Sequence, residues 1–181
     1  VLLPSNLDVN LIAKGYDLCL EISSNEKIDM SLRRFKRGPY YELLLVYSDS
    51  RGLLKDKLWR KVVKDQAPTP VPNPTGKYLR EAQIRNSNYD DVIIKNTNEF
   101  DTQLCVSGRF NLKDHEKYYA CVVIRDEKQL YISNVLAFEL HAEKPVPLGT
   151  FSLMGHLNKP AFQAIKNELT LVEKEENLNL H

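Results

Sequence analysis

The sequence predicts a mostly β domain of the sandwich type, closed by a C-terminal amphipathic α-helix. Two patterns carry that expectation. Apolar residues alternate at period two in several stretches, and one apolar stripe near the end recurs at spacings of three and four. In Tyr40 to Tyr47 and in Lys117 to Arg125 both faces of the alternation are apolar, as expected of strands covered on both sides.

Taken in order, Tyr16, Leu18, Leu20 and Ile22 alternate with Asp17, Cys19 and Glu21, which predicts a half-buried strand. In the next strand Tyr41, Leu43, Leu45 and Tyr47 share one face, with Leu44 and Val46 on the other. Ser48 to Gly52 supplies the Ser, Asp and Gly of a tight turn. Leu53 to Val63 reads two ways. Leu54, Leu58 and Val62 suit a helix, whereas Trp59, Lys61 and Val63 suit the second arm of a hairpin. Pro68, Pro70, Pro72 and Pro74 mark residues 66–76 as a stiff, polyproline-like crossing on the surface; a proline-reading domain binds the same chemistry. Val92 to Ile94 and Leu104 to Phe110 are short strand candidates. In Lys117 to Arg125, Tyr118, Ala120, Val122 and Ile124 back onto Tyr119, Cys121 and Val123. Arg125 to Gln129 is a polar turn, and Leu130 to Leu140 returns as the partner arm of a hairpin. Asn158 is positioned to cap the final helix, with Pro160 in its first turn and Phe162, Ile165, Leu169 and Val172 as its stripe. That stripe either closes over the domain's own core or docks onto another chain. Residues from Glu173 onward read as frayed. The resulting organisation is a β domain over residues 1–150 and a helix with a tail over 151–181.

Hydrophobic residues make up 43% of the 181 and charged ones 27%, which excludes the disordered, collagenous and membrane extremes. The apolar runs, Leu43 to Tyr47 among them, are far too short to cross a bilayer. An odd count of three cysteines, with no open N-x-[ST] acceptor among fourteen asparagines, leans toward an intracellular setting.

The run Leu112, Lys113, Asp114, His115, Glu116, Lys117, Tyr118, Tyr119, Ala120, Cys121 resembles the segment leading into strand F of an immunoglobulin domain, where an acid precedes Tyr-x-Cys and the tyrosine forms a corner. The segment through Leu140 is similar to the closing hairpin of a fibronectin type III domain. The resemblance covers about thirty residues and implies an immunoglobulin-like antiparallel β-sandwich. In that pattern Cys19, on an early strand, would stand opposite Cys121. Here the two are further apart in sequence than the family uses, Asp114 sits one place too far from Tyr119, and Trp59 lies far from Cys19. Only the superfold is carried over, because a fold does not fix a function.

Signals for chemistry are sparse. The glycines are isolated and form no phosphate-cradling or dinucleotide pattern, and no serine lies in G-x-S-x-G. Cys19, Cys105 and Cys121 fall in predicted strands and read as core. His115, His141, His156 and His181 show no H-E-x-x-H spacing. Asp114, His115 and Glu116 cluster in sequence, and His141 would share a strand face with Glu143; either group offers a general base or a weak metal ligand, as in a small hydrolase. Polar turns and strand edges account for both more simply. The expectation is therefore a non-catalytic domain with no cofactor and no resident metal.

Charge is uneven. Ser31 to Lys64 holds ten Lys or Arg against three acids, although the whole chain carries only +1. Arg33, Arg34, Lys36, Arg37, Arg51, Arg60 and Lys61 form a candidate binding patch, and Phe35, Tyr40 and Trp59 add stacking surface. Lysines that blunt an exposed strand edge would give the same pattern. Two functions follow. The first is a protein-interaction domain within a larger intracellular assembly, with an acidic partner for the patch. The alternative is a DNA-binding sandwich of the Rel type, with Arg33, Arg34 and Arg37 as loop contacts and Tyr40 to Gly52 similar to a strand and turn of such domains. The near-neutral total favours the first.

Overall fold

The computed structural model describes residues 3–34, 38–55 and 91–180. In chain order these form β1 (Leu7–Lys14), β2 (Asp17–Arg33), β3 (Tyr41–Ser48), β4 (Gly52–Leu54), β5 (Asp91–Leu104), a short helix α1 (Val106–Arg109), β6 (Lys117–Arg125), β7 (Gln129–Ile132), β8 (Val135–His141) and β9 (Lys144–Phe151). A 3-10 turn at Met154–His156, the long helix α2 (Pro160–Glu176) and β10 (Asn179–Leu180) follow. The mostly β expectation with a C-terminal helix holds.

β1, β2 and β5 form one antiparallel group, with β2 in the middle. Gly15, at φ 61°, lets the chain reverse between Lys14 and Asp17. Tyr16 sits in that turn and is 68% exposed, so it does not continue the buried face of Leu18, Leu20 and Ile22. A second group runs β4, β3, β6, then β7 and β8 end to end, then β9, all antiparallel. A single parallel bridge, Arg33 to Tyr41, joins the groups, and β10 adds a parallel strand to β7. The sheet is therefore mixed and hydrogen-bonded throughout, which differs from the purely antiparallel arrangement expected.

It also nearly closes on itself. The returning arm of the expected hairpin breaks at Ser133 and Asn134, where the Val122 N–H donates to Ser133 Oγ at 2.9 Å. This turns the Asn134 amide toward β1. Asn134 Oδ1 accepts from the Leu11 N–H at 2.7 Å, and its Nδ2 donates to the Leu11 carbonyl at 3.0 Å. One side chain thus stands in for a ladder pair at the seam and satisfies backbone groups that would otherwise be buried unpaired.

Period-two burial accounts for the layers. Leu18, Leu20, Ile22, Ile28, Leu32, Leu44, Val46, Val122, Ile124 and Phe138 fill the space enclosed by the sheet. The opposite faces of β3 and β6, with Tyr41, Leu43, Leu45, Cys121 and Val123, are covered by Phe162, Ile165, Leu169 and Val172 of α2. These four helix residues are between 0% and 2% exposed, so the stripe packs against the chain's own sheet.

Several local expectations are corrected. Leu104 to Phe110 is not a strand: β5 ends at Leu104 and a helical turn follows. Val92 to Ile94 is part of a much longer strand. The cap of α2 is Lys159, in extended geometry and without a side-chain bond, rather than Asn158; Pro160 does occupy the first turn. Residues 174–180 are pinned rather than frayed. Asn177 takes a left-handed conformation, the Leu178 N–H reaches the Glu173 carbonyl at 3.1 Å, and Leu178 is buried. The first residues of Leu53 to Val63 belong to β4, paired with Tyr47 and Val46. Residues 56–63 and the proline-rich 66–76 lie outside the described residues. Among the described residues no helix is long and apolar enough to cross a membrane.

Candidate functional site

The basic segment does not assemble into a patch among the described residues. Lys36, Arg37, Arg60 and Lys61 lie outside them, as do Phe35 and Trp59. Arg33 is exposed at the end of β2. Arg34 instead acts on Glu42, a fully buried carboxylate on β3 that accepts from Thr102 Oγ1 at 3.2 Å. Burial pushes the Glu42 carboxyl above its ordinary range, while Arg109 and then Arg34 oppose that rise. Arg109 carried no signal in the sequence, because nothing local links α1 to β3.

Arg51 is also engaged by its own domain. Its guanidinium donates to the Asn111 carbonyl at 2.8 Å, to Tyr118 Oη at 2.8 Å and to Glu116 Oε2 at 3.3 Å. Glu116 also accepts from Ser48 Oγ at 2.5 Å, Ser50 Oγ at 2.6 Å and Tyr118 Oη at 2.6 Å. This network ties the β3–β4 turn to the chain leading into β6. The Ser48 and Ser50 hydroxyls, then Tyr118 and Arg51, hold the Glu116 carboxyl down to about 2 from an ordinary 4.5. A carboxylate with a lowered native value contributes stability above its unfolded value and loses it as pH falls. Wild-type unfolding free energy is therefore expected to drop by about 1–2 kcal/mol, after solvent screening, as pH falls from about 4.5 toward 2. Glu116→Gln should show a flatter slope in that window in urea titrations at stepped pH; an unchanged slope would mean that the network contributes nothing.

The corner tyrosine is shifted by one residue from the immunoglobulin pattern. Tyr118 Oη accepts from the Lys113 N–H at 2.9 Å, five residues upstream, whereas Tyr119 packs edge-on against Phe162 of α2. The pairing of Cys19 with Cys121 is not made. Both are free thiols: Cys121 lies under α2, 3.6 Å from the Ser133 carbonyl, and Cys19 lies 4.0 Å from Asp101. Burial pushes the Cys121 thiol up to about 11, and burial followed by the Asp101 charge raises Cys19. Neither is an activated nucleophile.

The expected union of His141 with Glu143 is also corrected. Glu143 falls in the two-residue turn between β8 and β9, with Ala142 and Glu143 at φ 51° and 66°. The partner of His141 is Glu139, two residues back on the same face of β8, with Nε2 and Oε1 3.1 Å apart. His115 joins them from the loop before β6, its ring edge-on to His141 at 5.0 Å. His156 stands apart, bonded to the Ser152 carbonyl at 2.8 Å and packed on Phe151 and Phe162.

A further surface feature went unread in the sequence. On the outward face of β1, β2 and β5, Asp8 aligns with Ser23 and Glu99, and Asn10 aligns with Glu21 and Asp101. All four acids are exposed, and Glu21 stands directly across from Asp101. Comparison with family models, with curated proteins and with solved structures finds no match to this chain.

Proposed function

We propose that this domain is a non-catalytic protein-interaction module that offers the outer face of β1, β2 and β5 to a basic segment of another protein. The like-charge pair Glu21 and Asp101, flanked by Asp8 and Glu99, carries the reading. Like charges directly opposite across a strand pair destabilise a sheet, by up to about 1 kcal/mol, and no ion pair among the described residues neutralises these four. A cationic partner would relieve that repulsion and gain specificity from the flat, extended array of carboxylates. The acidic partner expected from the basic segment loses support, since Arg34 and Arg51 serve Glu42 and Glu116. The Rel-like reading keeps only Arg33, Arg34 and residues outside the described set. The free thiols of Cys19 and Cys121 support an intracellular setting. The antiparallel hairpin of β6 with β7 and β8, and the Tyr118 bond to Lys113, support kinship with the immunoglobulin-like sandwich.

The test pairs stability with binding. Glu21→Gln and Asp101→Asn should each raise the unfolding free energy by a few tenths of a kcal/mol while lowering affinity for a synthetic lysine-rich peptide. Wild-type affinity for that peptide should fall steeply between low and moderate salt. Equal binding by wild type and the double variant would remove this face as the site. Tight binding of duplex DNA at low salt, lost in Arg33→Glu, would favour the DNA reading.

A further inference from the structure

Two turns meet at one end of the sheet, and three ligand-bearing side chains meet with them. His115 comes from the loop before β6, and Glu139 and His141 come from the last turn of pleat in β8. One carboxylate oxygen and one ring nitrogen from each histidine all lie within 4.8 Å of one another. We propose that His115, Glu139 and His141 form a surface site for a divalent late first-row transition cation, zinc foremost.

Donor chemistry selects the ion. Two imidazoles with one carboxylate suit Zn²⁺, Co²⁺, Ni²⁺ or Cu²⁺, whereas Mg²⁺ and Ca²⁺ call for oxygen throughout. Geometry agrees. Ligands about 2.0–2.1 Å from a tetrahedral ion stand roughly 3.3 Å from each other. Glu139 Oε1 and His141 Nε2, at 3.1 Å, already have that spacing. His115 offers a ring nitrogen within 4.8 Å of both, and water would take the fourth position.

The backbone holds all three in place before any ion arrives. Glu139 and His141 project from the same face of β8, and between them the Leu140 carbonyl accepts from the His115 N–H at 2.7 Å. Asp114 Oδ1 accepts from the Glu143 N–H at 2.9 Å, which binds the same loop to the β8–β9 turn. Lys117, across from Glu139 in register, directs its ammonium over the Tyr119 ring at 4.9 Å. An ion pair between Glu139 and His141 alone would explain those two residues. It does not account for His115, whose ring nitrogen lies within 4.8 Å of both groups and whose ring stands edge-on to His141. A cation bound here staples the loop before β6 to the β8–β9 hairpin.

The probe is Zn²⁺ alone, added to chelator-stripped protein in a titration calorimeter, with Co²⁺ absorption in the visible as a second readout. One equivalent is expected to bind. His115→Ala and His141→Ala should each weaken Zn²⁺ binding by more than about 100-fold, since loss of a ligand exceeds the 10- to 100-fold typical of its supporting groups. Glu139→Gln should weaken it by about 10-fold or more. The three positions are at the surface, so far-UV circular dichroism should confirm that each variant folds. Cys105→Ser should leave binding intact, and excess Mg²⁺ or Ca²⁺ should leave the Co²⁺ spectrum unchanged. Binding that survives in His115→Ala, or that disappears in Cys105→Ser, overturns the assignment. So does wild type binding no better than the His115→Ala, His141→Ala double variant.

Discussion

Arg109→Ala is expected to destabilise the domain by about 3–5 kcal/mol at neutral pH, because it strands a buried carboxylate. Glu42 is fully enclosed and Arg109 is 3% exposed, so neither charge has water to fall back on. Arg109 is the strongest influence opposing the rise that burial imposes on the Glu42 carboxyl, ahead of Arg34 and the Thr102 hydroxyl. Without it, burial drives the Glu42 carboxyl further above its ordinary 4.5. In the variant the native Glu42 carboxyl therefore holds its proton to higher pH than in the wild type, and the unfolded chain does not. The variant's stability is greatest below the unfolded value and falls as pH rises through the native one. The penalty measured by urea unfolding should therefore be smaller at about pH 4 than at about pH 7. Glu42→Gln should cost less than Arg109→Ala, and the double variant should lose less than the two costs combined. Strict additivity, or a cost near zero for Arg109→Ala, would show that the two groups are not coupled in the native state.

The same residues show how far local pattern reaches. Tyr41 to Tyr47 and Lys117 to Arg125 are legible because both of their faces are buried, one inside the sheet and one under α2, so nearly every position is apolar, Glu42 within β3 apart. β1 and the second half of β2 are not. Ile28, Met30 and Leu32 do alternate, but the polar stretch from Ser23 to Lys27 hides their continuity, and the ladder to β5 shifts register there. β5 is divided in the same way around Asn96, which takes φ 49°. The candidate sites depend on contacts between segments distant in the chain. Sequence gives the charge of Arg51 but not its direction, and that direction is set by Glu116, 65 positions away. His141 was picked out with the wrong carboxylate because its strand ends there: Glu143 passes into the turn while Glu139 stays on the face. His115 reaches both through the Leu140 hydrogen bond, for which no short-range pattern exists.

Phe162→Ala is expected to cost the isolated chain about 3–5 kcal/mol. The side chain is fully buried, with ring centroids 5.6 Å from Tyr119, 5.7 Å from Phe151 and 5.4 Å from His156. Truncation leaves a cavity among three rings that strand geometry and α2 prevent from collapsing, so lost contact adds to the lost transfer energy. The outer side of α2 supplies the control. Leu171 is 55% exposed, and Leu171→Ala should stay within about 0.5 kcal/mol of wild type. The contrast separates a helix that completes its own domain from one held ready for another chain, because a docking helix would lose little from Phe162→Ala until the partner was present. Equal, small costs for both variants would return the stripe to the surface and reopen the helix as an interface. A large cost for Phe162 alone leaves, among the described residues, the acidic face of β1, β2 and β5 and the proposed cation site as candidate surfaces.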